Sequence, residues 1–211
     1  MTSAHPTPTP TPTDAAEQPA RTSIAHPEAG VRLKQRQRDL MDRYRKDPDA
    51  AWTVDHASTR ACNGVDDGPL DPLHTHVLAG VSGESALPIG VHRAVGGFSD
   101  LPVPGDVLCA ALASCADSTI RVVANLFGIE LLELSVDVRA EVDVRGTLCV
   151  SPETPVGFQA IHTDVRLRAA PGTSPARLER LVKTAEHCCV VMRTLRDGVP
   201  VTVSCDAGEE S

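Results

Sequence analysis

The sequence predicts an α+β fold, and three observations carry that prediction. Two segments, 132–144 and 157–169, alternate apolar and polar residues with the period of a strand that has one wet face. Two longer segments, 106–127 and the stretch from Ser174 onward, repeat apolar residues at helical spacing. The order runs strands, helix, strands, helix, strand, which offers too little strand–helix alternation for a parallel doubly wound sheet. The two helices are expected to pack together on one sheet.

The chain has 211 residues, enough for one ordinary domain with appendages. Three Phe, one Tyr and one Trp leave the core to Val, Leu, Ile and Ala, and leave little with which to stack nucleic-acid bases. A net charge of -8 also argues against nucleic acid or an anionic membrane as partner. No apolar run approaches the roughly 18 residues of a membrane span, and the N-terminus lacks the apolar core of a signal peptide. A cytoplasmic location is therefore expected. The seven cysteines, Cys62, Cys109, Cys115, Cys149, Cys188, Cys189 and Cys205, are odd in number and form no C-x-x-C, which removes the support for a disulfide framework or a structural zinc site. Each thiol has to be judged by itself.

In chain order, residues 1–30 are a Pro/Thr-rich tail that cannot bury enough apolar surface to offset its ordering entropy, and are expected to be disordered. Residues 31–50 carry Leu33, Leu40, Met41 and Tyr44 among basic residues, a surface helix stopped before Pro48. The main domain is placed at 51–205, with an acidic tail at 206–211. Its first strand is expected over Ala51–Thr59, followed by a loop from Asn63 to Pro69. Further strands follow at His74–Val81 and Leu87–Val91, joined by Ser82–Ser85. After Gly96-Gly97 comes a helix buried on most sides, with Asp106 as N-cap and Gly128 as its left-handed stop. Leu132–Val144 and Gly157–Ala169 pair antiparallel around a loop at 151–155. The second helix starts at Ser174-Pro175, an N-cap with proline at the first helical position, and runs on into His187-Cys188-Cys189 and Leu195. Val199–Val203 reads as a last short strand.

The first long helix holds Cys115 among small side chains, where a thiol is either inert packing or a working nucleophile. Its sequence, Pro104-Gly105-Asp106-Val107-Leu108-Cys109-Ala110-Ala111-Leu112-Ala113-Ser114-Cys115, is followed some distance on by Cys189-Val190-Val191-Met192-Arg193-Thr194-Leu195 and Val199-Pro200-Val201. Together these segments resemble the OsmC/Ohr family, the osmotically inducible and organic hydroperoxide resistance proteins. That family's first cysteine closes a P-x-x-x-L-x-A-A-x-x-x-C helix, and its second opens a C-P-V-x-x-x-L segment, in which Val190 here replaces the usual proline. The resemblance covers residues 51–204.

The resemblance implies an intertwined α+β homodimer with antiparallel sheets and two central helices that hold a redox cysteine pair. It implies, further, a cofactor-free peroxidase in which the Cys115 thiolate attacks an organic hydroperoxide and becomes a sulfenic acid. Cys189 then condenses with it to a disulfide, which a dithiol restores, dihydrolipoyl groups serving in some members. Cys188 is adjacent to Cys189 and could take its place; the spacing to Leu195 favours Cys189. The residues allow such chemistry: a thiol attacks only as thiolate, and sulfenic acid is captured only by a thiol whose Cα comes within about 7 Å. Cys115 lies about nine residues inside its helix, beyond the reach of that helix's own dipole, so a nearby cation is expected to ionise it. In the family an arginine of the early strands does this, held by a glutamate near the start of the helix. Arg60 is the candidate here, with Arg93 behind it. The glutamate positions read Gly105 and Asp106, so Asp106 is the carboxylate that could substitute. The rival from another class is a non-catalytic OsmC-like domain that binds a small apolar ligand or a partner. His74 and His76, on one face of a strand, could bind a transition metal together with His92 or a thiol, but no third ligand stands at motif spacing.

Overall fold

The computed structural model describes residues 33–63, 70–80 and 85–205; the side chains of residues 60–63 and 85 lie outside that description. The terminal tails expected at 1–30 and 206–211 also lie outside it, as do most of the two loops expected between the early strands. Helix α1, Leu33–Lys46, forms as expected, with Arg43, Arg45 and Lys46 favourably placed at its C-terminal dipole. A short 3-10 turn at Pro48–Ala51 replaces the start of the expected first strand. Strand β1 is instead Ala57–Asn63, because Pro48 fixes the turn geometry and the described pairing with the next strand begins at Ala57. β1 runs antiparallel to β2, Leu70–Ala79, which runs antiparallel to β3, Ser85–Gly90.

Helix α2, Pro104–Phe127, starts two residues earlier than expected. Pro104 occupies the first turn, where its missing N–H costs nothing and its fixed φ suits the helix. Val103 is the N-cap, and Asp106, three residues on, accepts a hydrogen bond from the Val103 N–H at 3.0 Å. Gly128, at φ 65°, ends the helix in the left-handed region. α2 is long and apolar enough to span a membrane by length and composition alone, where the sequence analysis expects no such segment; the core helix of a soluble protein passes the same test. The expectation that α2 is buried on most sides is corrected: one stripe, Leu112, Ala116, Ile120, Val123 and Ala124, is buried, and Leu126 is exposed. Among the described residues α2 packs mainly against β4, α4 and α5 and, lightly, α1.

Strands β4, Leu131–Glu141, and β5, Ala160–Ala169, form the expected antiparallel pair, a two-stranded sheet separate from β1–β3. Between them a short helix α3, Val144–Thr147, was not foreseen. Its Gly146 lies so close to the following loop that a Cβ would stand 2.5 Å from the Pro155 carbonyl oxygen. Helix α4, Pro175–Cys188, opens on Ser174, whose hydroxyl accepts from the Arg177 N–H. The helix stops at Cys189, and a separate helix α5, Val190–Asp197, follows. Cys189 is the hinge of this break, with extended backbone at φ -74° and ψ 109°.

The main core joins Ile120, Val123, Ala124 and Ile129 to Leu181 and Ala185, with Leu134, Val136 and Val165 of the two-stranded sheet closing over them. The expected last strand at Val199–Val203 is corrected to irregular chain, with Val201 83% and Val203 91% exposed. Its alternation is that of a strand, but no strand among the described residues pairs with it, and an unpaired strand leaves its ladder groups unmet.

Candidate active site

A second, smaller core cluster contains the chemistry. Leu112, Ala116 and Cys189 are buried together, and Cys115, half-buried, packs against them with Val138, Ile161, Val191 and Met192. α2 presents Cys115 one residue before the buried Ala116, at the edge of its packed stripe. The corner between α4 and α5 brings Cys189, 0% exposed, against it. The two side chains pack against each other in this one cluster. Of the adjacent pair, Cys189 and not Cys188 faces Cys115; Cys188 is exposed.

Burial pushes the Cys115 thiol up, but four donors outweigh it and hold the thiol below its ordinary value: the Val191 N–H, the Cys189 side chain, the Thr119 hydroxyl and the Val190 N–H. Two of the four are the first amides of α5, which have no intrahelical partner. Groups other than a cation thus favour the Cys115 thiolate, while the side chain of the expected cation, Arg60, lies outside the described residues. The start of the thiol's own helix is too distant, as the sequence indicated, but the start of another helix is not. Burial moves Cys189 the other way, above its ordinary value, and the neighbouring Cys115 sulfur adds to this against the N–H groups of Met192 and Val191. The pair is thus asymmetric, with the readily ionised thiol being the more exposed one.

The other sequence candidates fall elsewhere. Arg60 lies within β1, opposite His76 of β2, and not after the strand; its side chain is outside the described residues. Arg93 opens an exposed 3-10 turn before α2. The Asp106 carboxylate is engaged at the helix start, nine residues and roughly 13 Å along the axis from Cys115. A side chain at Gly105 would meet the Phe158 ring, 3.2 Å from its Cβ position. Cys109, held up by burial and by the Asp106 carboxylate, is not part of the cluster. His74 sits between two carboxylates, Asp71 at 2.8 Å and Asp100 at 3.2 Å, and His92 accepts the Ala94 N–H, so these imidazoles serve the turn and strand around them. No group of three His, Cys, Asp or Glu suited to a metal occurs among the described residues.

A cleft of about 460 Å³ lies beside the cluster, between α2, β5, α4 and α5. Leu112, Ile120, Ile161 and Met192 give it apolar walls, and Cys189, but not Cys115, lines it. An ion pair of Arg196 with Glu186 at 2.6 Å spans the α4–α5 corner at its edge. Sequence reading missed Thr119 and the Val190 and Val191 amides. The available signals were a hydroxyl four residues after Cys115, on the same helix face, and a residue after Cys189 that keeps its N–H.

The profile of a family described as OsmC-like protein matches residues 97–204, more than half of the chain. The chain belongs to the OsmC-like family. Its fold is that of solved OsmC-like structures. An organic hydroperoxide resistance protein OsmC from Legionella pneumophila aligns with a TM-score of 0.52 at 22% identity, over 69% of this chain and 91% of that one. An OsmC-like protein from Mycoplasma pneumoniae gives 0.53 at 13% identity, over 70% and 89%. An OsmC-like protein of unknown function from Vibrio cholerae gives 0.54 at 11% identity, over 69% and 95%. No curated protein matches the sequence. Membership agrees with the α+β, antiparallel architecture.

Proposed function

We propose that the protein is a thiol peroxidase that reduces organic hydroperoxides, with Cys115 as nucleophile and Cys189 as resolving thiol. The observation that carries this reading is the contact between the two sulfur-bearing side chains, with the donors of α5 aimed at the more exposed of them. In the first step the Cys115 thiolate attacks the terminal peroxide oxygen. A S–O bond forms, the O–O bond breaks, and the alkoxide leaves as alcohol with a proton, so sulfur is oxidised and the peroxide reduced. Cys189 then attacks the sulfenic sulfur; the S–S bond forms and water departs. An external dithiol, a lipoyl group being one candidate, returns both sulfurs to thiols by exchange. The reaction needs no cofactor and fits a cytoplasmic, reducing setting.

One equivalent of cumene hydroperoxide should produce a Cys115–Cys189 linkage in the peptide mass spectrum. Intact thiols at both positions after complete mixing would reject the reading. The apolar cleft favours a second one, an OsmC-like domain that holds a small apolar ligand without turnover. Ligand retention by the parent protein, with no peroxide consumed, would select it.

The assembly that fits this reading is a homodimer. One face of α2 carries the exposed Leu126, β3 exposes Leu87, Trp52, Val54, Val201 and Val203 stand in solvent, and the β1–β3 sheet packs on little else among the described residues. Surface of this kind is covered in stable proteins. Sedimentation equilibrium should return twice the mass of one chain at micromolar concentration; a monomer at that concentration would rule the assembly out.

A further inference from the structure

We infer that His74 is a pH-sensitive clasp: its imidazolium grips the Asp71 carboxylate of its own strand and the Asp100 carboxylate of the 91–103 connection, and loss of its proton releases the lead into α2. The inference stands apart from the peroxidase reading and is tested without it.

His74 lies within β2, opposite Gly90 of β3. Asp71, three residues before it, sets one carboxylate oxygen 2.8 Å from Nδ1 and accepts the Leu73 N–H with the other at 2.8 Å. Asp100 comes from the connection between β3 and α2 and faces Nε2 with both oxygens, at 3.2 and 3.4 Å. A neutral imidazole carries one N–H and one lone pair, so it would turn that lone pair on one of the two carboxylates. The imidazolium donates to both. The Phe98 ring stacks on the imidazole, with centroids 6.4 Å and planes 28° apart. Hydrogen bonds to Asp71 first and Asp100 second hold the His74 ring above its ordinary value, against the smaller opposing effect of burial. Opposite His74, β3 offers only the uncharged Gly90, and the β1 side chains of Arg60 and Cys62 lie outside the described residues. His76 lies two residues along the same strand face, His92 is taken up by the Ala94 N–H, and Arg93 heads an exposed turn.

The clasp sits where the β1–β3 sheet is joined to the helix that carries Cys115. That sheet packs little on α2 or on β4 and β5 among the described residues, so the 91–103 connection is its main tie to them. The Gly90 N–H donates to the Pro102 carbonyl at 3.0 Å, and a Cβ at Gly90 would stand 3.3 Å from the Asp100 carboxylate, so the connection lies directly on the end of β3. Its other described hydrogen bonds close on itself, Arg93 N–H to the Ser99 hydroxyl at 2.8 Å and Ser99 N–H to the Val91 carbonyl at 3.1 Å. Because the folded chain holds the His74 proton more tightly than the unfolded one, the stability added by the clasp is full below the ordinary value of 6.5. It is lost as pH rises through the higher folded value.

The test follows the His74 ring nitrogens by NMR in the full-length protein, assigned by the loss of their signals in His74→Gln. The midpoint should lie above 6.5, with both nitrogens protonated below it. Asp71→Asn and Asp100→Asn should each lower it by about half a pH unit or more. The second reading is trypsin cleavage of the Arg93–Ala94 bond, inside the connection, compared at each pH with Asp100→Ala, where the clasp is open throughout. Below the midpoint the parent should be cut about fivefold more slowly than Asp100→Ala, and above it equally fast. A midpoint at or below 6.5, or one unmoved in either Asn variant, overturns the inference. Equal cleavage of parent and Asp100→Ala at every pH overturns it as well. Protection by the same factor at every pH makes the Asp100 contact a fixed structural one and also overturns it. Should Asp100→Ala fail to fold, the midpoints of the two Asn variants decide.

Discussion

Cys115→Ser is expected to lower hydroperoxide turnover by at least about a thousandfold, because a serine hydroxyl at neutral pH offers almost none of the anion that attacks the peroxide bond. The four donors around position 115 are matched to a sulfur that ionises easily, and they cannot bring an aliphatic alcohol into the same range. Cys189→Ser should behave differently. The first attack survives, the sulfenic acid has no thiol to condense with, and dimedone should label Cys115 after one equivalent of hydroperoxide. Turnover that persists in Cys115→Ser, measured by peroxide consumption with dithiothreitol as reductant, would place the nucleophile elsewhere. The exposed Cys188 would then be the first thiol to examine.

The second large effect is on stability. Leu181, 0% exposed, is surrounded by Ile120, Val123, Ala124, Ile129 and Ala185, and it joins α4 to α2. Truncation to alanine removes that contact and leaves a cavity that rigid neighbours fill only in part, so Leu181→Ala should cost about 3 kcal/mol. Against a total stability of about 5–15 kcal/mol this is a large fraction. Urea unfolding followed by circular dichroism measures it; a loss below about 1 kcal/mol would mean that α4 is not anchored by this residue.

Much of the architecture was legible because its signals are local. The alternation from Leu134 to Val144 specified β4 to within a few residues, and Ser174-Pro175 marked the start of α4. The resemblance singled out Cys115 and Cys189, and these two side chains pack in one cluster while Cys188 is exposed. The misreadings have a common cause in partners that sequence periodicity does not reveal. Val199–Val203 has the pattern of a strand and no strand among the described residues beside it. α3 exists because Gly146 lets the backbone approach Pro155, a tertiary fact. Asp106 was read as the N-cap, whereas Pro104 shifts the helix start and turns Asp106 into the carboxylate that reaches back to Val103. The start of α5 beside Cys115 could not be read by considering one helix at a time, since it lies 75 positions further along, Val190 against Cys115.

Had residues 175–197 formed one continuous rod, the amide of Val190 would have bonded to the carbonyl of Glu186, and that of Val191 to the carbonyl of His187, in the ordinary ladder. The interruption at Cys189 releases both from that ladder. A single residue with extended backbone thus converts the middle of a long helix into a second positive pole and sets it against a sulfur. An insertion or deletion that healed the interruption would keep both cysteines and most of the packing, yet leave the earlier thiol with an ordinary affinity for its proton.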